Sequence, residues 1–471
     1  MMAKQFYLRR AGVIAVLIHL LAIAALIVFL VRAIIRATHS DTEISGFVKK
    51  LLPAGNCLCQ SSTVFECSLS LLEQSKKEVD TSGRIKTDWK FEYDRDSLNF
   101  GLTRDQCNVA FPGYFEEVFR AVEVRKSYGS NVTVDDLDAI RLSRGMVRAM
   151  IADRKLRVLE SKHGDEDHRK KGLAILHSIY RSISTDGRPI PNIEFVFSIE
   201  DMVDHPSMPF WTLSRRPRDH NLWLMPDFGF WSWDLQDLGT LDDVVEEVVR
   251  YEASTGWATK IQKLVWRGKP QMLPKLRRSL LDVTKDKPWS DVAGLIPGPT
   301  RVAENYLSAA DQCKYMFLAH AEGTVLVHLL LVQLEGQNSD RVAGRSYSGS
   351  LKYRQICHSV VFIHKLQWIQ HHHYLFVANG TKQNFVEVER DFSDLEEKVE
   401  YLIAHPEEAE RIADNSVKTF RDHYFAPAAE ACYWRALIQG WAESSFEPQL
   451  YVSKPGSNLA RPRGMRFENF A

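Results

Sequence analysis

The sequence predicts an α/β fold on parallel sheets behind an N-terminal membrane helix, and three observations carry that prediction. After Lys171, short apolar runs alternate with amphipathic stretches, the texture of buried strands and their covering helices. From Ala11 to Val31, 21 residues contain no Lys, Arg, Asp or Glu. At about 1.5 Å per residue such a helix crosses the roughly 30 Å hydrocarbon core of a bilayer. The 471 residues, 45% hydrophobic, suffice for two or three ordinary domains, and 60 Lys+Arg against 60 Asp+Glu leave no global field for polyanions. A nucleic-acid partner is not expected, and disorder, collagen or a disulfide miniprotein are excluded for the chain as a whole.

Residues 1–10 read as a cytoplasmic tail and 11–31 as a retained anchor, too long for a cleaved leader and running straight into Arg32 and Arg36. Flanking cations nearly balance, so orientation rests on other features. Asn131-Val132-Thr133 and Asn379-Gly380-Thr381 are glycosylation sequons. Four of the seven cysteines (Cys57, Cys59, Cys67, Cys107) closely follow the anchor, as in a disulfide-stapled stem in an oxidising lumen; buried free thiols are the alternative. The expectation is a single-pass type II protein of the Golgi membrane with a lumenal body. The endoplasmic reticulum is the alternative, which the ending Phe467-Glu468-Asn469-Phe470-Ala471 disfavours because it is not a Lys/His-Asp-Glu-Leu signal.

Residues 32–145 read as stem and a mostly helical lead-in, and the charged run from Arg154 to Lys171 as a solvated helix or loop. Strands are expected at Ile193–Ile199, Leu222–Met225, Lys263–Trp266, Tyr315–Ala319, Val360–Ile363 and Phe385–Val388. Helices are expected at Leu241–Ala253, opened by Thr240 and Asp243, and at Leu395–Ala404, opened by a Ser393/Glu396 capping box. Two more follow, Glu407–His423 after His405-Pro406 and the aromatic-rich Pro427–Trp441. The tail from Ser453 lacks periodicity and is expected to be loose.

Several chemistries are absent as motifs: no phosphate loop, no H-E-x-x-H, no paired C-x-x-C and no G-x-G-x-x-G after a strand. His371-His372-His373 cannot converge on one metal from a regular strand or helix. The D-x-D triplets at Asp94, Asp136 and Asp165 are common in so acidic a chain, so no metal ligand is assigned.

The informative cluster lies between Ile193 and Lys352. A strand ends on Glu200-Asp201, where an acid beyond a strand's carboxyl end can serve as a general base. Met225-Pro226-Asp227-Phe228-Gly229-Phe230-Trp231-Ser232-Trp233 packs four aromatics into six residues, apt for stacking on sugars and equally for core packing. Trp266-Arg267-Gly268 ends a strand on a fork of donors beside a residue without a side chain. Ser346-Tyr347-Ser348-Gly349-Ser350-Leu351-Lys352-Tyr353 opens a helix whose free N–H groups suit a diphosphate.

In this order, with Glu322-Gly323 and Asp391-Phe392-Ser393-Asp394-Leu395, these segments resemble glycosyltransferase family 90, which includes fungal capsule-associated xylosyltransferase-like proteins and animal protein O-glucosyltransferases. The resemblance spans roughly Gly101 to Trp441. It implies a GT-B-like architecture: two Rossmann-like domains facing a cleft, 146–258 on the acceptor side and 259–440 on the UDP-sugar side, with a C-terminal helix crossing back and 441–471 as tail. It implies inverting transfer of xylose or glucose from UDP-xylose or UDP-glucose to a glycan or glycoprotein hydroxyl, without a bound cofactor and independent of metal. Asp201 matches the general base, Arg267 and Gly268 the donor-side pair, and Glu322, Ser346, Ser348 and Lys352 the segment holding nucleotide and diphosphate. Trp231 and Trp233 would line the sugar or acceptor side.

Two departures stand out. Ser350 occupies a position where the family often carries Arg, with Arg345 or Arg354 as possible substitutes. Thr324–Gly344, 21 residues, separates Glu322-Gly323 from Arg345-Ser346, which the family joins directly. Translated non-coding sequence is the expectation for 324–344, with a real loop as the alternative. If the segment belongs to the mature protein, an inactive lectin-like or scaffolding relative becomes the alternative function.

Overall fold

A computed structural model describes residues 89–201, 205–234, 238–298, 302–323, 346–453 and 460–471. The expected anchor, Cys57, Cys59, Cys67 and segment 324–344 lie outside the described residues. Among those described, no helix is long and apolar enough to cross a membrane. Residues 89–471 pack as one unit of mixed α/β structure carrying two main sheets.

The first sheet contains β1 (Met146–Ala152), β2 (Lys155–Lys162), β3 (Ile193–Ser198), β4 (Trp211–Thr212) and β5 (Trp223–Leu224). β1 pairs antiparallel with both β2 and β3, while β3, β4 and β5 run parallel. This half is therefore mixed, unlike the second sheet. The charged run expected as solvated helix or loop becomes β2 followed by a helix. Leu156 and Val158 point inward and charged residues alternate outward, and Asp153 and Arg154 take positive φ (50° and 62°) in the two-residue turn from β1.

The second sheet contains β6 (Ile261–Gly268), β7 (Ser290–Gly294), β8 (Tyr315–His320), β9 (Val360–His364) and β10 (Val386–Val388). All are parallel, in the order β10-β9-β8-β6-β7. The central strands read as continuous apolar runs because both faces are covered. From β6 the chain steps one way to β7, and from β8 the other way to β9 and β10. Strand order thus reverses between β6 and β8, and in such sheets ligands bind beyond the carboxyl ends at that reversal.

The helices that position the site are α1 (Arg104–Ala110), α2 (Glu116–Tyr128), α3 (Glu166–Thr185), α4 (Leu241–Ser254), α5 (Pro274–Thr284), α6 (Leu351–Gln355), α7 (Leu395–Ala404), α8 (Pro406–Thr419) and α9 (Pro427–Glu443). Thr240 caps α4, its side chain accepting the Asp243 N–H at 3.1 Å. The Ser393/Glu396 box does not form. Asp394 holds the N-cap of α7 instead, its carboxylate accepting the Glu389 N–H at 2.8 Å and pairing with Lys398.

After the second sheet, α9 returns to the first. The Trp441 indole N–H donates to the Glu194 carbonyl at 2.9 Å and the Tyr433 hydroxyl to that of Leu224 at 3.0 Å. Cys107, expected within a stem staple, is bonded to Cys432 of α9, and Cys313 pairs with Cys357. The tail expected to be loose carries β11 (Met465–Arg466), which pairs with β2, while Arg463 bridges to buried Glu194 at 2.6 Å and Phe467 is buried.

Gly323 and Ser346 flank the suspect segment, and the Gly323 N–H donates to the Ser346 carbonyl at 3.1 Å. Their Cα atoms are then within about 7 Å, a span one linking residue covers. A chain lacking Thr324–Gly344 should fold and gain roughly 2 kcal/mol from the shorter loop closure, measured by denaturant unfolding. An insoluble or less stable product would give the segment a structural role.

Candidate active site

The two sheets meet where β3 ends. Glu200 and Asp201 follow β3, and the Asp201 carbonyl accepts the Ser346 hydroxyl at 2.5 Å. Ser346 is fully buried, and Tyr347 lies close enough to Asp201 and Asp227 for both carboxylates to reinforce burial in holding its phenol well above the ordinary range. This hydrogen bond ties the predicted base loop of one half to the Ser-Tyr-Ser segment of the other.

Beyond β8, Glu322 organises the floor. Its Oε1 accepts the N–H groups of Gln367 and Trp368, both at 2.9 Å, and Oε2 pairs with Arg390 at 2.8 Å. Burial raises its carboxyl from the ordinary value, and these three donors oppose that rise. Its own N–H donates to His364 Nε2 at 2.9 Å, while His364 Nδ1 faces the Lys365 carbonyl at 3.0 Å, defining the neutral tautomer. Burial lowers that imidazole to about 3.

Lys352 of α6 is likewise committed to the protein. Its ammonium, 2% exposed, contacts Asp227 Oδ1 at 2.8 Å and Oδ2 at 3.1 Å, and the Gly349 carbonyl at 2.7 Å. Burial lowers its pKa and Asp227 offsets part of that shift. Asp227 also accepts the Gly229 N–H at 2.8 Å, and a side chain at Gly229 would come within 2.7 Å of Lys352 Nζ. The aromatic run therefore folds around a buried ion pair. Removing one partner leaves an uncompensated charge, so Lys352→Met should cost about 3–5 kcal/mol. The double replacement Lys352→Met/Asp227→Leu should recover most of that loss in thermal unfolding, and equal losses for single and double variants would overturn the pairing argument.

Ser348 Oγ lies 2.9 Å from Ser350 Oγ. Trp233 is buried against Phe228 and Gly349, and its indole N–H has no hydrogen-bond partner among the described residues. Trp231 is partly exposed, with His177 stacked at 5.4 Å and the Arg181 guanidinium 4.5 Å over its ring. Arg267 is turned toward β7: Nη2 pairs with Asp291 Oδ1 at 2.7 Å and Nε donates to the Asn305 carbonyl at 3.1 Å. Gly268 makes room for Trp266, whose ring would lie 2.3 Å from a Cβ there. That ring in turn carries Arg277, 5.6 Å from its centroid.

Arg277, in the first turn of α5, bridges the strand reversal, donating to the Lys269 carbonyl at 2.9 Å and the Glu322 carbonyl at 3.1 Å. Its Nη2 lies against Gly323, where a Cβ would approach within 2.4 Å. Arg354 of α6 donates to the Ser350 carbonyl at 3.1 Å and also to its hydroxyl, while its buried Nε has no partner among the described residues. Neither guanidinium pairs with a carboxylate among the described residues. Burial lowers both to about 10, and Arg277 adds to the shift at Arg354 by repulsion, yet both stay charged at neutral pH. Neighbouring His320 is buried with no partner for its Nδ1 among the described residues, and burial, then Arg354, holds it well below the ordinary imidazole value.

Arg277, His320 and Arg390 belong to no sequence motif. The one local signal was a cation in the first turn of α5, where the helix dipole disfavours it.

Residues 174–452 match the sequence profile of Glycosyl transferase family 90. Human Protein O-glucosyltransferase 1 is 21% identical over 301 residues, 59% of this chain and 69% of that protein. Protein O-glucosyltransferase 2 of Danio rerio is 26% identical over 305 residues, covering 60% of this chain and 51% of that protein. Protein O-glucosyltransferase 3 of Rattus norvegicus is 26% identical over 228 residues, covering 46% and 38%. The matched region runs from α3 through α9 and takes in both sheet ends with the residues gathered there, so the chain belongs to glycosyl transferase family 90 and is a glycosyltransferase.

Proposed function

We propose that this chain transfers glucose or xylose, with inversion, from a UDP-sugar to a hydroxyl of a glycan or glycoprotein, with Asp201 as general base. In that step the Asp201 carboxylate takes the acceptor proton as the acceptor oxygen bonds to the anomeric carbon. The bond from that carbon to the diphosphate oxygen breaks, and UDP leaves with the electron pair. The observation that carries this proposal is the unbroken run of contacts from Arg277 through Gly323 and Ser346 to Asp201. It joins a cation lacking a carboxylate partner among the described residues to the proposed base. Charge of this kind, fixed in place before reaction and aimed at the leaving diphosphate, stabilises a transition state without reorganisation. The doubly wound second sheet and the return of α9 support a GT-B arrangement. UDP release from UDP-glucose and UDP-xylose by the full chain in detergent, with each candidate acceptor class, tests the proposal. No release with either donor would favour an inactive lectin-like or scaffolding relative.

The proposal includes a single-pass type II protein with its body in the Golgi lumen. Two disulfides among the described residues and two exposed sequon asparagines, Asn131 and Asn379, support it. Expressed through a eukaryotic secretory pathway, the full chain should carry two N-glycans. Asn131→Gln and Asn379→Gln should each remove one glycosidase-sensitive band, and an unshifted wild-type chain would place the body outside the lumen.

A further inference from the structure

Because β1 runs antiparallel to both β2 and β3, the start of β1 and the ends of β2 and β3 share one edge of the first sheet. That edge gathers Arg144 before β1, Asp165 and His168 after β2, and Glu200 after β3. Asp165 caps α3, accepting the His168 N–H at 2.9 Å. The His168 side chain, only 8% exposed, places Nδ1 2.6 Å from Asp165 Oδ1 and Nε2 3.0 Å from Glu200 Oε1. Arg144 lies across the same nitrogen: its Nη2 is 3.0 Å from His168 Nε2 and its Nε 3.4 Å from Glu200 Oε1. The next residue after Glu200 is Asp201, whose carbonyl Ser346 holds from the other side.

We propose that His168 is a positioning residue that fixes the Glu200-Asp201 turn, its Nε2 serving Glu200 when protonated and Arg144 when not. The inference rests on Asp201 being the general base. A protonated Nε2 donates to Glu200 while Nδ1–H donates to Asp165, so both carboxylates are held. A neutral ring that keeps its Nδ1 proton on Asp165 presents a lone pair at Nε2. That lone pair accepts from Arg144 and repels the Glu200 carboxylate, and the turn carrying Asp201 is released from α3.

The charged groups set the direction of the titration. Burial and Arg144 work against the imidazolium, as does its place at the positive end of α3, but Glu200 and Asp165 outweigh them and raise the pKa above the ordinary histidine value. His163, with Arg169 and Glu166 beside it, is also coupled to His168. A raised pKa means the grip is complete at low pH and is lost as pH rises through the folded value.

The test uses the full chain and UDP release from whichever of UDP-glucose and UDP-xylose is turned over. Wild-type kcat should fall about tenfold on an alkaline limb, with KM for the donor unchanged. The limb should coincide with the His168 titration followed by NMR. His168→Gln, which donates to Glu200 at every pH, should abolish the limb. Glu200→Gln, which removes the charge that raises the histidine, should move it to lower pH, and this variant decides the matter if His168→Gln does not fold. A His168→Gln enzyme with the wild-type limb, or a Glu200→Gln limb that does not move, overturns the positioning role while leaving Asp201 as the base. An Asp201→Asn enzyme that turns over like wild type overturns both.

Discussion

Asp201→Asn lowers kcat for sugar transfer by about 10²–10⁴-fold, the range a positioned general base contributes, and leaves KM for the UDP-sugar unchanged. The reason is structural as well as chemical. Asn keeps the size of the side chain and the backbone carbonyl that accepts from Ser346 at 2.5 Å, so the junction between the two sheets survives. What disappears is the capacity to take the acceptor proton as the new glycosidic bond forms. The proposed donor-side groups, which follow the strands of the second sheet, are untouched. Stopped assays of UDP release, with thermal unfolding run in parallel, read the effect. Turnover near the wild-type rate would remove Asp201 from the chemistry and leave Glu200, its neighbour, as the acid to examine next.

Sequence patterning located the second sheet's central strands because they are buried on both faces, and missed the edge strand Ser290–Gly294, which is only partly buried and carries no apolar run. Tyr315–His320 and Val360–His364 stand out as apolar runs whatever surrounds them. The β1–β2 hairpin was hidden for the opposite reason. β2 lies near the sheet edge and carries Lys155, Arg157, Glu160 and Lys162, so charge masked the inward alternation of Leu156 and Val158. Its turn, Asp153-Arg154, also lacks the Asn-Gly or Asp-Gly pair that announces such a connection. The candidate site divides in the same way. Asp201, Glu322, Ser346 and Lys352 stand in contiguous motifs and were legible. Yet Lys352 and Glu322 turn out to be spoken for by Asp227 and Arg390, partners 125 and 68 residues distant in the chain. Arg277 is marked locally only as a cation in the first turn of a helix, and the strand reversal beside Glu322 gives it a place.

Arg354→Gln raises KM for the UDP-sugar by about 10–100-fold, the equivalent of the roughly 1.5–3 kcal/mol carried by a hydrogen bond to a charged group. The family that this chain resembles often has Arg at the position of Ser350. Here Ser350 is short, and Arg354, four residues later and hence on the same face of α6, reaches back to its hydroxyl and carbonyl. A guanidinium is thus delivered to that place from one turn further along. It is buried, lacks a carboxylate partner among the described residues and faces repulsion from Arg277, a combination unfavourable without an anion and relieved by a diphosphate. Arg354→Lys should not rescue binding, because an ammonium cannot reproduce the fork of donors. Ser350→Arg in the Arg354→Gln background should restore it by returning the charge to the family's own position. Arg277→Gln should weaken donor binding to a similar degree, and the two losses should not add, since each arginine relieves the other's repulsion when removed. Donor KM unchanged in Arg354→Gln would mean that this cation serves the fold alone, and the charge opposing the leaving UDP would then have to come from Arg277.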